Sequence, residues 1–548
     1  MENLKRLCRN KIVLSMLGLS FFMLWHAQDV RLVASLKEEM RFIRGEYFLL
    51  CIFLLFTVLL SAYFFLRPDA KESFARRKES PALHIRFLLL SLLLGIGYLF
   101  VFRGISAPDE ISHYIGSYKL SSMVLGEKAV VDTGHVIVRE EDYFLEDLED
   151  LADESQNSDY IPQILGRDLQ ARDFYIIKNW SGLYQKSEAI RVSRHIPVRT
   201  TPLIYIPQIL GISLARLLRL NTIGLITLGK LFNLIAYVLL LSYAIYLLPF
   251  GKNILFAAAL LPMSMHLGAS MSYDAMIIAL VSVFLAKVFS MAYGKAKANI
   301  RDILLLALIT LIFSPCKMIY SLLIFSYLII GEDKFGNKKI KYGGFALILL
   351  SFIAAMFLVN AATIQSYATA GSNNLEWAKE AGYTIKELIK RPLFTVKMLY
   401  HTLLWQAQYY HMTMIGAYLG NIIEALDIPY LLIQVFSMGL LLLSLRGEEG
   451  KNPMKPRERL WIGLLILSVI GAAMLSMFIA WTPRNADTIL GVQGRYFLPL
   501  LMPALLLLDN PYIISRIKNV NALLFVFVWS NAYALARLYS IVCLRIEI

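Results

Sequence analysis

The run Ala107-Pro108-Asp109-Glu110-Ile111-Ser112-His113-Tyr114 sets two adjacent carboxylates and a histidine directly after an apolar block that ends near Ile105. A helix beginning near Pro108 puts Asp109 and His113 on one face, at i and i+4. A carboxylate there can act as a general base, with partial burial drawing its pKa toward working pH. The same acids also suit plain helix capping, because negative charge is favourable in a first turn. Asp274, in Ser270-Met271-Ser272-Tyr273-Asp274, stands at the mouth of another apolar block. An ionisable group at such a boundary is expensive unless used, though an N-capping acid reads the same way. Lys317 follows Pro315, with Tyr320 one turn further on. Its ammonium can meet an anion or snorkel to an interface. The fourth place is Gly491-Val492-Gln493-Gly494-Arg495-Tyr496-Phe497-Leu498-Pro499. A guanidinium suits bidentate contact with phosphate, and the two glycines let backbone approach a ligand closely.

The elements that must position these groups are membrane spans. The chain has 548 residues, of which 57% are hydrophobic, and its mean hydropathy is +0.58. Soluble domains lie nearer 45–50% apolar. The excess falls in continuous blocks, among them 47–66, 86–102, 225–250 and 461–480. Each is long enough to cross about 30 Å of hydrocarbon as a helix. Barrel strands would be short and alternating. The expectation is an all-α polytopic membrane protein of about 12–14 transmembrane helices, with a long outer loop after the third span.

Charge gives orientation. The net charge of +14 sits largely in short loops, where the positive-inside rule places it, and no nucleic-acid partner is expected. The N-terminus, with Lys5, Arg6, Arg9 and Lys11, and the basic loops 67–86, 294–301, 331–341, 446–459 and 509–518 agree on one cytoplasmic side. Residues 12–28 end in Trp25, His26 and Gln28 without a small-residue cleavage site and read as a retained first span. The opposite side then receives the loop 106–199, the turn 270–274, the segment 361–427 and the segment 481–495. A loop as long as 106–199 is uncommon without a function. The blocks 303–313 and 318–330 are short for spans and read as half-length helices around Pro315, of a kind tolerated where they line a cavity. The segment 201–220, with Pro202, Pro207, Arg216 and Arg219, reads as an amphipathic helix lying in the interface.

Other features are weaker. The acids between 140 and 159 match no EF-hand loop and read as a solvated charged stretch. Cys8, Cys51, Cys316 and Cys543 fit no zinc or redox spacing. His401, Trp405, Tyr409, Tyr410 and His411 are an aromatic set of the kind that forms interfacial belts or stacks sugars. A Walker A loop, a dinucleotide fingerprint and a Gly-x-Ser-x-Gly elbow are all missing, so nucleotide and acyl-transfer chemistry find no support.

Four of these motifs carry a resemblance. Pro108-Asp109-Glu110-x-x-His113-Tyr114, Ser272-x-Asp274, Pro315-x-Lys317-x-x-Tyr320 and Gly494-Arg495-Tyr496-Phe497-Leu498-Pro499 stand in the order of the motifs of a bacterial membrane family, domain of unknown function 2142. The resemblance covers residues from about 86 to the C-terminus, leaving 1–85 as two extra N-terminal helices with a basic loop. That family resembles, more distantly, the GT-C glycosyltransferases, which use polyprenyl-phosphate sugars as donors. The resemblance implies that Asp109 is the general base, or at least orients the acceptor hydroxyl, and that Glu110 assists it or binds a metal. It implies that Arg495 and Lys317 hold the donor phosphate, while His113, Tyr114, Asp274, Tyr320, Gln493 and Tyr496 contact substrate. A divalent metal stays open. The implied partners are a polyprenyl-phosphate sugar, a polysaccharide or glycolipid acceptor and membrane lipid, with transfer on the extracytoplasmic side of the plasma membrane. One base and one phosphate clamp suit a single displacement with inversion. A flippase of lipid-linked saccharides and a glycan polymerase or ligase are the competing readings. The flippase has the long loop against it, together with the lack of an inverted repeat of discontinuous spans.

Overall fold

The computed structural model describes residues 18–20, 22–23, 25–28, 31, 42–66, 81–143, 146, 184–185, 187–198, 200–369, 373–422, 426–445, 452–510, 512–515 and 519–544. Much of the expected first span at 12–28, the basic residues Arg76, Arg77 and Lys78, Cys8 and most of the acidic stretch lie outside these residues.

The protein is an all-α polytopic membrane protein. Among the described residues, seven helices are long and apolar enough to span a bilayer. Four of the expected blocks appear within them, as Phe42–Phe65, Leu83–Val101, Thr222–Leu247 and Pro456–Ala480. The other three are Asp274–Tyr293, Val520–Leu544 and a continuous run from Lys338 to Tyr367 with a π-helical stretch at Met356–Asn360. Helix 274–293 is the most enclosed, and 338–367 lies with most of its surface outward. Helix 42–65 packs against 83–101 and 520–544, so this N-terminal span belongs to the same bundle.

The remaining apolar chain is broken into shorter pieces. Lys252–Ala259 and Pro262–Gly268 are two short helices divided where Pro262 interrupts the hydrogen-bond ladder. Ile300–Phe313 is α-helical, and the expected second half-helix is a 3-10 helix, Met318–Ile329. Its 12 residues reach about 24 Å at the 3-10 rise, where an α-helix would reach about 18 Å. A 3-10 run of this length is uncommon.

Segment 201–220 is helical, as Pro202–Tyr205 and Ile206–Leu217, and packs antiparallel on helix 222–247. Gln208 Nε2 donates to Asn233 Oδ1 at 3.0 Å. Gly211 packs so closely on the Leu228 carbonyl that a side chain there would collide. Close approach through a small residue is how helices associate where lipid removes the hydrophobic driving force.

Segment 361–427 holds Pro392–Ile415, a 24-residue helix. The last turn of that helix enters the bundle, where Gly416, at φ 105°, packs on Pro262 and Met263. The described end of the acidic stretch is folded, with Glu140 exposed but Asp142 and Glu146 buried. Asp142 is buried, pairs with Arg139 at 2.6 Å, and accepts from Tyr118 and Thr222. Beside it, Ile137–Arg139 pairs antiparallel with Ile190–Val192 across the long loop.

Candidate functional site

Four charged side chains from four distant parts of the chain meet at one point. Arg495 Nη2 donates to Asp109 Oδ2 at 2.7 Å, and its Nη1 donates to Asp274 Oδ2 at 3.0 Å. Lys317 Nζ pairs with the other oxygen of Asp274 at 2.6 Å. Two carboxylates and two cations therefore balance. The order is Asp109, Arg495, Asp274, Lys317, with opposite signs alternating.

Local structure explains each position. Asp109 precedes helix Glu110–Val124 in the N-cap position, at φ 58°, and its side chain caps nothing. A left-handed backbone at a non-glycine residue is strained and has to be held by its surroundings. Here it turns the carboxylate away from the helix and toward Arg495. Asp274 opens helix 274–293 yet points across to the two cations. Lys317 sits in the extended link between Ile300–Phe313 and Met318–Ile329, with its ammonium 4.3 Å from the ring centre of Tyr496. Arg495 lies in the 3-10 turn Gly494–Phe497. Gln493 Oε1 accepts from its Nε at 2.6 Å and so fixes the plane of the guanidinium. Tyr320 donates to the Tyr496 carbonyl at 2.7 Å and anchors the same turn. Gly494 is pressed against the backbone of Tyr410 and Met414, where a β-carbon has no room.

Exposure differs sharply across the cluster. The Arg495 side chain is 2% exposed and that of Asp109 is 66%. The guanidinium is therefore a fixed, dry cation, while the outer carboxylate faces open space.

His113 lies behind the cluster and does not touch it. Its Nδ1 is 2.7 Å from the Tyr205 hydroxyl, and its ring stands edge-on to Tyr273. Burial pushes this imidazole down to about 4, so it is neutral near pH 7. Tyr114 faces elsewhere, packed on Tyr118 in a separate apolar cluster.

Glu110 is not available as an assisting base or a metal ligand. Its Oε2 accepts from the backbone N–H of Ser106 and of Ala107, both at 2.7 Å. Its Oε1 accepts from Met271 N at 2.7 Å and pairs with Lys230 Nζ at 3.1 Å. Lys230 in turn donates to the carbonyls of Phe102 and Gly104. Asn233 and Gln208 hold the same turn from the other side, through the carbonyls of Ser270, Ser272 and Met271. Glu110, Lys230, Asn233 and Gln208 thus clamp the turn that presents Asp274. The sequence reading missed Lys230 and Asn233. The signal was there, since a lysine and an asparagine inside an apolar span are costly unless partnered.

Asp109 and Asp274 are each matched to a cation, and no group of three or more potential ligand side chains occurs among the described residues.

The fold and the site together define a polytopic membrane protein with a balanced charge cluster built from its interhelical turns. The family model described as "Predicted membrane protein (DUF2142)" matches residues 92–504, and the chain belongs to that family. No curated protein and no solved structure matches it.

Proposed function

We infer that the chain is a membrane glycosyltransferase that takes a sugar from a polyprenyl phosphate and passes it to a cell-wall or surface polysaccharide on the extracytoplasmic side. The observation that carries this reading is the Asp109–Arg495–Asp274–Lys317 cluster. It offers a dry guanidinium and an ammonium to an anion, beside a carboxylate open to a second substrate.

The step balances with these groups alone. An acceptor hydroxyl attacks the anomeric carbon and gives its proton to Asp109. The bond from that carbon to the phosphate oxygen breaks. Arg495 and Lys317 stabilise the polyprenyl phosphate that leaves. Asp274 holds both cations in place, and single displacement inverts the anomeric centre. Donor phosphate competes with Asp109 for Arg495, so donor binding itself releases the base. An apolar stripe supports a lipid donor. Ile206, Leu210, Leu214 and Leu217 are exposed along one side of the helix that begins next to Tyr205, the partner of His113.

The test is transfer from a panel of polyprenyl-phosphate sugars to envelope glycan by protein in nanodiscs, with Asp109→Asn and Arg495→Ala beside wild type. Transfer lost in Asp109→Asn with donor binding intact supports both the activity and the base. No transfer, together with lipid-linked sugar crossing vesicle bilayers equally in wild type and Asp109→Asn, replaces this reading with a flippase.

A further inference from the structure

A cleft of about 790 Å³ lies away from the charge cluster, between helix 392–415 and the turn that precedes Gly491. Its walls include Phe394, Lys397, His401, Trp405, Gln406 and Asp487. We propose that this cleft is a saccharide-binding subsite that holds the acceptor chain while its end reaches Asp109. The proposal rests on the glycosyltransferase reading for the identity of the occupant.

Three observations carry it. The first is chemical. Aromatic faces stand beside a lysine, an amide and a carboxylate, and this mixture suits a ligand with C–H faces and hydroxyls. The Trp405 indole is left 72% exposed, with its ring 5.8 Å from that of His401. His401 is oriented from below, its Nδ1 lying 3.0 Å from the Asp487 carbonyl.

The second observation separates this cleft from a lipid-facing belt. The same helix exposes Leu393, Val396, Tyr400, Leu403 and Leu404. Those residues form an apolar surface of their own. Lys397, His401 and Trp405 recur at i, i+4 and i+8, on a neighbouring ridge that carries the polar groups. A membrane belt accounts for the first face and leaves the second unexplained.

The third is continuity. The ridge runs on through Tyr409 to Thr413, whose Oγ1 accepts from Gly494 N at 2.9 Å. Thr413 is therefore the residue against which the Arg495 turn is set. From Trp405 to Thr413 the helix rises about 12 Å. A ligand that spans from the cleft to the Arg495 turn is therefore longer than one sugar unit. The turn that closes the cleft is pinned on the same helix, where Ile489 N donates to Thr402 Oγ1 at 2.9 Å.

The experiment measures binding apart from transfer. Oligosaccharides of graded length, released from the envelope of the organism and tagged at the reducing end, are titrated against protein in nanodiscs by fluorescence anisotropy. Wild type is expected to bind the longer fragments more tightly than the shortest ones. Trp405→Ala and Gln406→Ala are each expected to weaken binding, by about tenfold for the tryptophan. Binding unchanged in both cleft variants, or no binding to wild type at any length, overturns the subsite. A lower yield of nanodisc incorporation for Trp405→Ala, with unchanged saccharide affinity in the incorporated fraction, assigns the residue to the bilayer and also overturns it. Cleft-dependent binding without any transfer activity leaves the subsite standing and removes the glycosyltransferase reading.

Discussion

Asp109 and Glu110 are neighbours of the same chemical type, and the fold gives them opposite surroundings. Glu110 is sealed: its side chain is fully buried, and its oxygens meet three backbone N–H groups and Lys230. Asp109 is open, with a single ion-pair partner and most of its carboxylate exposed. A buried carboxylate whose lone pairs are all occupied cannot exchange partners without losing several kcal/mol of compensated desolvation. An exposed one with one partner can. The contrast separates two tasks that the sequence writes side by side. Glu110 fixes the turn that carries Asp274, and Asp109 is left to meet substrate.

The largest expected effect tests the open side. Asp109→Asn should lower transfer by about 10²–10⁴-fold, the range for loss of a general base, with a smaller fall in the unfolding midpoint than Lys230→Met produces. Wild-type turnover in this variant would remove the base from Asp109 and collapse the contrast.

Next comes the sealed side. Lys230→Met leaves Glu110 buried without its counter-charge and should cost about 3–5 kcal/mol of stability. The readout is thermal unfolding and the yield of monodisperse protein. Adding Glu110→Gln to Lys230→Met should recover part of that loss, because no lone charge then remains. A Lys230→Met protein as stable as wild type would mean the pair clamps nothing.

Arg495→Lys sharpens the comparison further. The substitution keeps the charge but gives up the planar fork that spans Asp109 and Asp274. Donor affinity is expected to fall by about tenfold, with a smaller change in stability than for Lys230→Met. Unchanged donor binding, followed by titration with a lipid-linked sugar, would show that a point charge is enough and that geometry at this cation is irrelevant.

How much of this was legible follows from the range of the interactions. The long spans were, because a continuous apolar block of about 20 residues has one reading in a membrane. The cluster was legible as separate residues, since Asp109, Asp274, Lys317 and Arg495 each stand at a boundary where charge is expensive. Their pairing was not, because 386 positions separate Asp109 from Arg495 and no local rule links them. The roles of Asp109 and Glu110 were not separable either. Adjacent acids look alike until a left-handed residue turns one outward and Lys230, 120 positions on, seals the other. The antiparallel fold of 206–217 was hidden for a related reason. Its exposed leucines mark an apolar face but name no packing partner, and it is Gln208 and Gly211 that set it against helix 222–247.

The smallest effect concerns His113, which is bonded to Tyr205 and belongs to the structural side. Burial holds its folded-state pKa near 4, against about 6.5 in an unfolded chain. Between those values the unfolded chain binds the extra proton, so stability falls as pH falls. The stability is fully present above about pH 6.5 and is lost at roughly 1.4 kcal/mol per pH unit on the way to about 4. Acidifying from pH 7 to 5.5 should therefore cost about 1 kcal/mol at this site. The quantity to measure is the difference between wild type and His113→Gln, which isolates this site. The glutamine keeps a polar partner for Tyr205 and carries no titratable proton. Its unfolding midpoint should drop less than that of wild type over the same pH interval. Equal drops would place a charged His113 in the folded protein, where it would join the open cluster as a third cation and end its assignment to the sealed side.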